Sequence, residues 1–255
     1  MKIPVLEVRN LNKNFGGLKA LRALSFTLGK GRIKLFMGPN GAGKTTLFDI
    51  ISGLESADSG NIYYKGSEIT KMAAEKRARI GMSRTFQTTQ VFERLNVVEN
   101  IMVGCYAKTK VRFVPAGLWF PSIYREEHRN MQEAFDILEF LGMYDKAGRR
   151  VSQVSYMERK LIELGRTMAM EPDLLLLDEP FGGLNLKEMK IISEKIGLLR
   201  DKGVSIAIID HHFDLISDTS DDVAVLSHGE IIAQGSPYDI RMNKRVISEY
   251  FGVRD

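Results

Sequence analysis

The chain has 255 residues, 44% of them apolar and 27% charged, with 36 basic against 32 acidic side chains. Such a composition fits one large domain or a domain carrying a sizeable subdomain, and it excludes disorder as a class. The formal charge of +4 is spread thinly, with only short basic runs at Lys108–Arg112 and Arg149-Arg150, so no nucleic-acid partner is expected.

Cys105 is the only cysteine, which rules out an internal disulfide and a cysteine-rich metal site. The histidines at 128, 211, 212 and 228 show no HExxH spacing. The opening MKIPVLEVRN lacks a signal-peptide core, and nowhere do about 20 apolar residues run together as a spanning helix requires, so an intracellular chain that does not itself cross a membrane is expected.

In chain order, VLEVRNL, KALRALSFTL and RIKLFM read as strands, punctuated by Gly16-Gly17, Gly29 and Gly31. From Thr45 the period changes: TTLFDIISGL predicts a helix with Leu47, Ile50 and Ile51 on one side and Gly53 near its end. Between Ile69 and Met143 the pattern is mostly helical and more polar, with Phe135, Leu138 and Leu141 as a buried stripe on the stretch 123–141. Before it, RFVPAGLWFPS reads as a loop or broken segment that packs on the protein itself or faces a membrane or a partner. After residue 150 strands and helices alternate. Leu161, Leu164, Gly165 and Met168 line one helix face, LLLLD and SIAIID are continuous apolar strands with a helix from Met189 to Arg200 between them, and DDVAVLSHGEIIAQG is a hairpin around His228-Gly229 before a C-terminal helix. Strands of this kind belong to a sheet covered on both faces. No internal repeat is visible.

The strongest signal is GPNGAGKT, which follows the strand KLFM and precedes a helix, and fits GxxxxGK[ST] at every position. In that context Gly38, Pro39, Asn40, Gly41, Ala42 and Gly43 form a loop whose backbone N–H groups curve around phosphates at the positive end of the following helix. Lys44 supplies a point charge to the outer phosphates, Thr45 offers its hydroxyl to Mg²⁺, and Thr46 turns toward the phosphates. The second half of the site is LLLLDEP, an apolar strand ending in Asp178 and Glu179. Two acids at a strand end also suit a helix cap; beside a phosphate loop they suit a cation held by Asp178 and a water polarised by Glu179. No NKxD motif follows the loop, which argues against a GTPase.

These motifs, in this order and spanning nearly the whole chain, resemble the nucleotide-binding subunits of ABC transporters. The resemblance implies an α/β P-loop NTPase of the ABC type: one domain over 1–255, a mixed central sheet with an antiparallel N-terminal β subdomain, and a helical subdomain inserted at about residues 88–165. It implies that Gln87 in SRTFQ touches Mg²⁺ or the water, that Phe15 in NKNFGG stacks on adenine, that Gly182–Asn185 crosses between subunits, and that His211 is the switch histidine. Taken singly, Gln87 would be an ordinary loop residue, Phe15 a core aromatic and His211 a satisfied histidine at a strand end; their joint order sets them apart. NFGGLKAL, SRTFQTTQVFERLNVVEN, the insertion near residues 106–130 and the ending RVISEYFG resemble the branched-chain amino-acid uptake branch, to which importers of amides or urea are similar.

ATP and Mg²⁺ are the implied cofactors. The implied partners are transmembrane permease subunits, a second ATP-binding subunit, identical or homologous, and indirectly a solute-binding protein, with the chain peripheral on the cytoplasmic side of the membrane. Ser155 matches the family's signature serine, which reaches the ATP of the opposite subunit. Met157 stands where the family has a glycine and Glu158 where it has a glutamine, while Asp210 replaces a glutamate and His212 an aspartate beside His211. A side chain at 157 narrows the approach of backbone to a ligand. A carboxylate at 158 either meets the triphosphate or serves the helix dipole from solvent. A membrane importer's Mg-dependent ATPase is the implied function. An ATP-gated subunit that hydrolyses weakly, an exporter ATPase and a soluble ABC protein of repair or translation are the rivals.

Overall fold

The computed structural model describes residues 3–85, 90–108 and 121–251. Gln87 and residues 112–120 of the aromatic segment lie outside them. The chain divides into two compact units, Met1–Gln87 with Asp173–Asp255, and Thr88–Pro172.

The first unit opens with β1 (Leu6–Phe15) and β2 (Leu18–Leu28), paired antiparallel, followed by β3 (Ile33–Met37). Helix α1 (Lys44–Ser52) leaves the phosphate loop, and β4 (Ser59–Tyr64) and β5 (Ser67–Glu68) extend the first sheet in the order β2-β1-β4-β5. Helix α2 (Ala74–Arg79) then leads into β6 (Met82–Arg84). This short strand interrupts a stretch that is otherwise mostly helical, as expected from Ile69 onward. Three residues of mixed polarity give no period of their own, and only parallel pairing with β7 makes them a strand.

The second unit is helical. Helix α3 (Val97–Lys108) begins with a reciprocal cap, in which Asn96 Oδ1 accepts from the Glu99 N–H and Glu99 Oε2 accepts from the Asn96 N–H. It packs with α4 (Pro121–Leu141) and α5 (Tyr156–Met168). Two glycines set how closely: a Cβ on Gly104 would run into the Arg166 carbonyl, and one on Gly165 would come within 2.8 Å of Leu141. The buried stripe of α4 is Ala134, Ile137, Leu138 and Leu141. Phe135 is off that stripe and half-buried, its ring 5.4 Å from Tyr144, because the 3.6-residue period carries it to the rim.

The first unit resumes with β7 (Leu174–Asp178), α6 (Leu186–Asp201), β8 (Ser205–Ile209), α7 (Phe213–Ile216), β9 (Asp222–Ser227) and β10 (Glu230–Gly235). The expected C-terminal helix is instead two short pieces, α8 (Pro237–Arg241) and α9 (Lys244–Val246), and a π turn (Ile247–Phe251). The second sheet runs β10-β9-β3-β8-β7-β6, parallel except for β10. Phe36, Leu176, Ile209 and Leu226 on one of its faces share a core with Leu47, Phe48 and Ile51 of α1 and with Val8, Leu24 and Phe26 of the first sheet. The alternate residues Leu35, Leu175, Ile208 and Val225 are buried as well, so both faces are covered.

The far end of α1 is closed by a buried cation. The Arg77 guanidinium donates to the carbonyls of Ile50 and Ile51 at 2.7 Å, and to those of Met72, Ile69 and Thr70 within 2.9 Å. Burial pulls its pKa down to about 10.

Candidate functional site

Parallel strands β3, β7 and β8 end side by side, and the chemistry gathers just beyond them. After β3 the chain turns through Gly38, Gly41 and Gly43 at φ +150°, +79° and +97°, conformations that a side chain would strain. The constraint is also steric. A Cβ on Gly38 would strike the Leu226 carbonyl, and one on Gly43 would lie 2.5 Å from the Ala20 carbonyl. Lys44 Nζ donates to the carbonyls of Gly38 and Pro39 at 2.7 and 2.9 Å, so the loop holds its own lysine at the start of α1. Burial lowers the Lys44 pKa, against the carboxylates of Glu179, Asp178 and Asp210.

A cavity of about 470 Å³ opens over this loop, and Phe15, Asn40, Gly41, Gly43, Lys44, Thr45, Thr46 and Glu179 line it together. Phe15 keeps 46% of its surface exposed at the end of β1, with the Lys13 ammonium 4.9 Å from its ring centre. Arg22 and His228, to which no role is assigned from sequence, also line the cavity. His228 and Gly229, at φ +47° and +82°, form the tight turn between β9 and β10. Its tip is pinned: Gly229 N donates to the Ala42 carbonyl at 3.2 Å, and Arg22 N donates to the Gly229 carbonyl at 2.8 Å. The SHG hairpin was legible in sequence, but its return to the phosphate loop depends on the sheet order.

Asp178 ends β7, 3% exposed, with its N–H donating to Thr85 Oγ1 at 3.3 Å. Burial pushes its carboxyl above the usual range, opposed by the Arg84 guanidinium, whose Nη2 donates to Oδ2 at 2.9 Å. Glu179 follows in the left-handed region at φ +49°, its N–H donating to the Ile209 carbonyl at 2.9 Å. That turn carries the chain out of the sheet and leaves the second acid at the cavity while the first stays inside. Asp178 and the Thr45 hydroxyl are hard oxygen donors of the kind Mg²⁺ takes, and the inward-curving loop fits a polyphosphate.

Asp210, at the end of β8, is fully occupied. Oδ1 accepts from the N–H groups of His211 and His212 at 2.8 and 3.0 Å, and Oδ2 accepts from the Phe181 N–H at 3.4 Å. His212 Nδ1 lies 2.7 Å from Oδ1, to which the Nδ1–H tautomer donates. The shortened acid thus ties the loop after β7 to the loop after β8, and the His212 ring lies 4.0 Å from that of His211, tilted by 37°. His211 itself remains largely exposed.

In the helical unit, Ser155 is the N-cap of α5, its Oγ accepting from the Glu158 N–H at 3.3 Å. Glu158 Oε2 accepts in return from the Ser155 N–H at 2.7 Å, and Oε1 pairs with Lys146. Burial raises the Glu158 carboxyl, but Lys146 and the Ser155 N–H outweigh it and leave a net depression. The carboxylate in place of glutamine is therefore a neutralised helix cap. The Met157 side chain is half-buried beside it. Asn185, at the end of the Gly182–Asn185 stretch, caps α6 in the same manner, accepting from the N–H groups of Lys187 and Glu188.

The family model for "ABC transporter" matches residues 21–182. A probable branched-chain amino acid transport ATP-binding protein, LivG, of Archaeoglobus fulgidus is 34% identical over 253 residues, covering 98% of this chain and 96% of that protein. The high-affinity branched-chain amino acid transport ATP-binding protein LivG of Escherichia coli K12 is also 34% identical, with 99% of each chain covered. Among solved structures, a nucleotide-free ATP-binding cassette from an ABC transporter superposes with a TM-score of 0.84 at 30% identity, over 97% of this chain and 98% of that one. ATP binding and hydrolysis are the general activity of such a domain, and the chain belongs to the ABC transporter family as an ATP-binding subunit.

Proposed function

We propose that the chain is the Mg-dependent ATPase of a membrane importer for branched-chain or related amino acids, held at the cytoplasmic face of the membrane by permease subunits. The observation that carries this reading is the single cavity shared by Phe15, the phosphate loop and Glu179. Phe15 offers its face to the adenine ring. The loop N–H groups and Lys44 bind the phosphates and orient the terminal one. Thr45, Asp178 and Gln87 hold Mg²⁺, which when bound neutralises charge on the phosphate oxygens. Glu179 accepts a hydrogen bond from a water aligned with the γ-phosphorus, and His211, steadied by its contact with the tilted His212 ring, fixes the far side of that water. As the water oxygen bonds to phosphorus, a water proton passes to the Glu179 carboxylate, the bond to the β-phosphate oxygen breaks and its electron pair leaves with ADP.

Ser155 acts in a second copy or a homologous partner, so two chains enclose two ATP molecules. A solute-binding protein delivers the solute to the permease. Support for the amino-acid reading comes from relatives of full length at 34% identity that are named for branched-chain amino acid transport. The test is Mg²⁺-dependent ATPase of the purified chain beside Glu179→Gln, with uptake of labelled leucine by cells that carry or lack the chain. Turnover abolished by Glu179→Gln and uptake lost with the chain are the expected results. Uptake unaffected by loss of the chain overturns the amino-acid assignment, and wild-type turnover that survives Glu179→Gln overturns the role of Glu179.

A second reading is favoured by Met157, a half-buried side chain where the family's glycine admits a ligand. In that reading the chain binds ATP and lends its carboxylates to a partner with an intact signature. Binding without turnover, restored by Met157→Gly with Glu158→Gln, would select it.

A further inference from the structure

Arg84 lies between two acids from different elements of the first unit. Its Nη1 donates to Asp49 Oδ1 at 2.7 Å and to Ser52 Oγ at 3.0 Å, both on α1, and its Nη2 donates to Asp178 Oδ2 at 2.9 Å. The side chain is 7% exposed and packs over the Phe48 ring, 5.8 Å from its centre. Next to it, Thr85 accepts from the Asp178 N–H, while the Thr85 N–H donates to the Leu176 carbonyl. The end of β6 therefore holds Asp178 at its backbone and at one carboxylate oxygen. Among the described residues the other oxygen, Oδ1, has no hydrogen-bond partner in the protein.

We propose that Arg84 is a positioning residue for cation binding: by tying Asp178 Oδ2 to the helix that leaves the phosphate loop, it fixes Oδ1 as the oxygen offered to Mg²⁺. The inference rests on the reading of Asp178 as a Mg²⁺ residue. A guanidinium bridging two carboxylates in fixed fork geometry sets their orientation as a lysine point charge does not. The charge balance permits the arrangement. Asp49, Arg84 and Asp178 together carry one net negative charge, so the guanidinium does not cancel the carboxylate that the cation needs. Asp49 thus has two tasks, anchoring Arg84 to α1 and absorbing its charge.

Charge and position make opposite predictions for Arg84→Met. Removing a cation beside the metal site strengthens Mg²⁺ binding if charge governs. Freeing Asp178 to rotate weakens it if position governs, by about tenfold or more, as when other partners of metal ligands are lost.

The measurement is binding of trinitrophenyl-ATP to the full chain across a Mg²⁺ titration and again in EDTA. Arg84→Met is expected to need about tenfold more Mg²⁺ for half its effect while the EDTA affinity stays within about twofold, and Arg84→Lys is expected to fall between it and the wild type. An unchanged or reduced Mg²⁺ requirement in Arg84→Met overturns the inference. So does a loss of equal size with and without Mg²⁺, which marks a purely structural residue. Should Arg84→Met fail to fold, Asp49→Asn carries the test from the more exposed end: a several-fold higher Mg²⁺ requirement supports the inference and an unchanged one overturns it. A wild-type affinity indifferent to Mg²⁺ would overturn the metal reading of Asp178 itself.

Discussion

The phosphate loop with its acids and the turn that starts α5 are built differently. Around the phosphate loop, two acids are held by groups from distant parts of the sequence: Asp178 by Arg84 and Thr85, and Asp210 by Phe181 in addition to its own neighbours His211 and His212. At the signature turn, Ser155 and Glu158 hold each other across three residues, and Lys146 from twelve residues upstream completes the set. The first arrangement exists only once the sheet has formed. The second is a local helix start that needs little beyond its own turn. Pre-set acids suit chemistry, whereas a self-contained cap suits a surface that must be ready for a ligand carried elsewhere.

Substitutions can sharpen or break that contrast. The largest effect is expected at Glu179→Gln, where turnover should fall by about 10²–10⁴-fold with ATP binding retained, as for loss of a general base. Comparable binding and a turnover within a few-fold of wild type would remove Glu179 from the chemistry. Next is Asp210→Ala, which strands buried N–H groups on two loops. A loss of about 2–3 kcal/mol in urea unfolding is expected, with turnover reduced alongside. If stability holds, the acid does not knit the strand ends.

A smaller change is expected from Ser155→Ala, about 1 kcal/mol of cap energy, or roughly 2–4 °C in thermal midpoint for a chain of this size. The accompanying loss of turnover should exceed what that destabilisation explains if Ser155 also reaches a phosphate. The smallest belongs to Lys146→Met, at about 1 kcal/mol or less for a surface-edge pair. Here pH gives the sign. The Glu158 carboxyl titrates below its unfolded value of 4.5, so its stabilisation is present above pH 4.5 and is lost as pH falls through the lowered folded value. Acid unfolding of Lys146→Met should be flatter in that window, and an unchanged acid limb would show that Lys146 does not set the Glu158 charge.

Much of this is legible in the sequence. GPNGAGKT carried its own context of strand and helix, and LLLLDEP announced a strand buried on both faces with acids at its end. What escaped is nonlocal. MSR is too short to show a period, and the importance of Arg84 depends on acids 35 and 94 residues away. Arg22 and His228 reach the cavity through the order in which strands pair, which no local pattern records. The charge at 158 was visible, but its meaning lay in Lys146, across a helix start.

Arg77 stations a cation at the end of α1 away from the phosphate loop, where the helix dipole is negative. The helix N-terminus presents free N–H groups at the phosphate loop, and a buried guanidinium sits on the last carbonyls, roughly 13 Å away for nine residues. An arriving polyanion thus meets a dipole whose negative pole is already answered, so little field leaks into the core behind it. Neutralising position 77 would expose those carbonyls and weaken the anion's grip from the opposite end of the helix, without touching any atom near the phosphates.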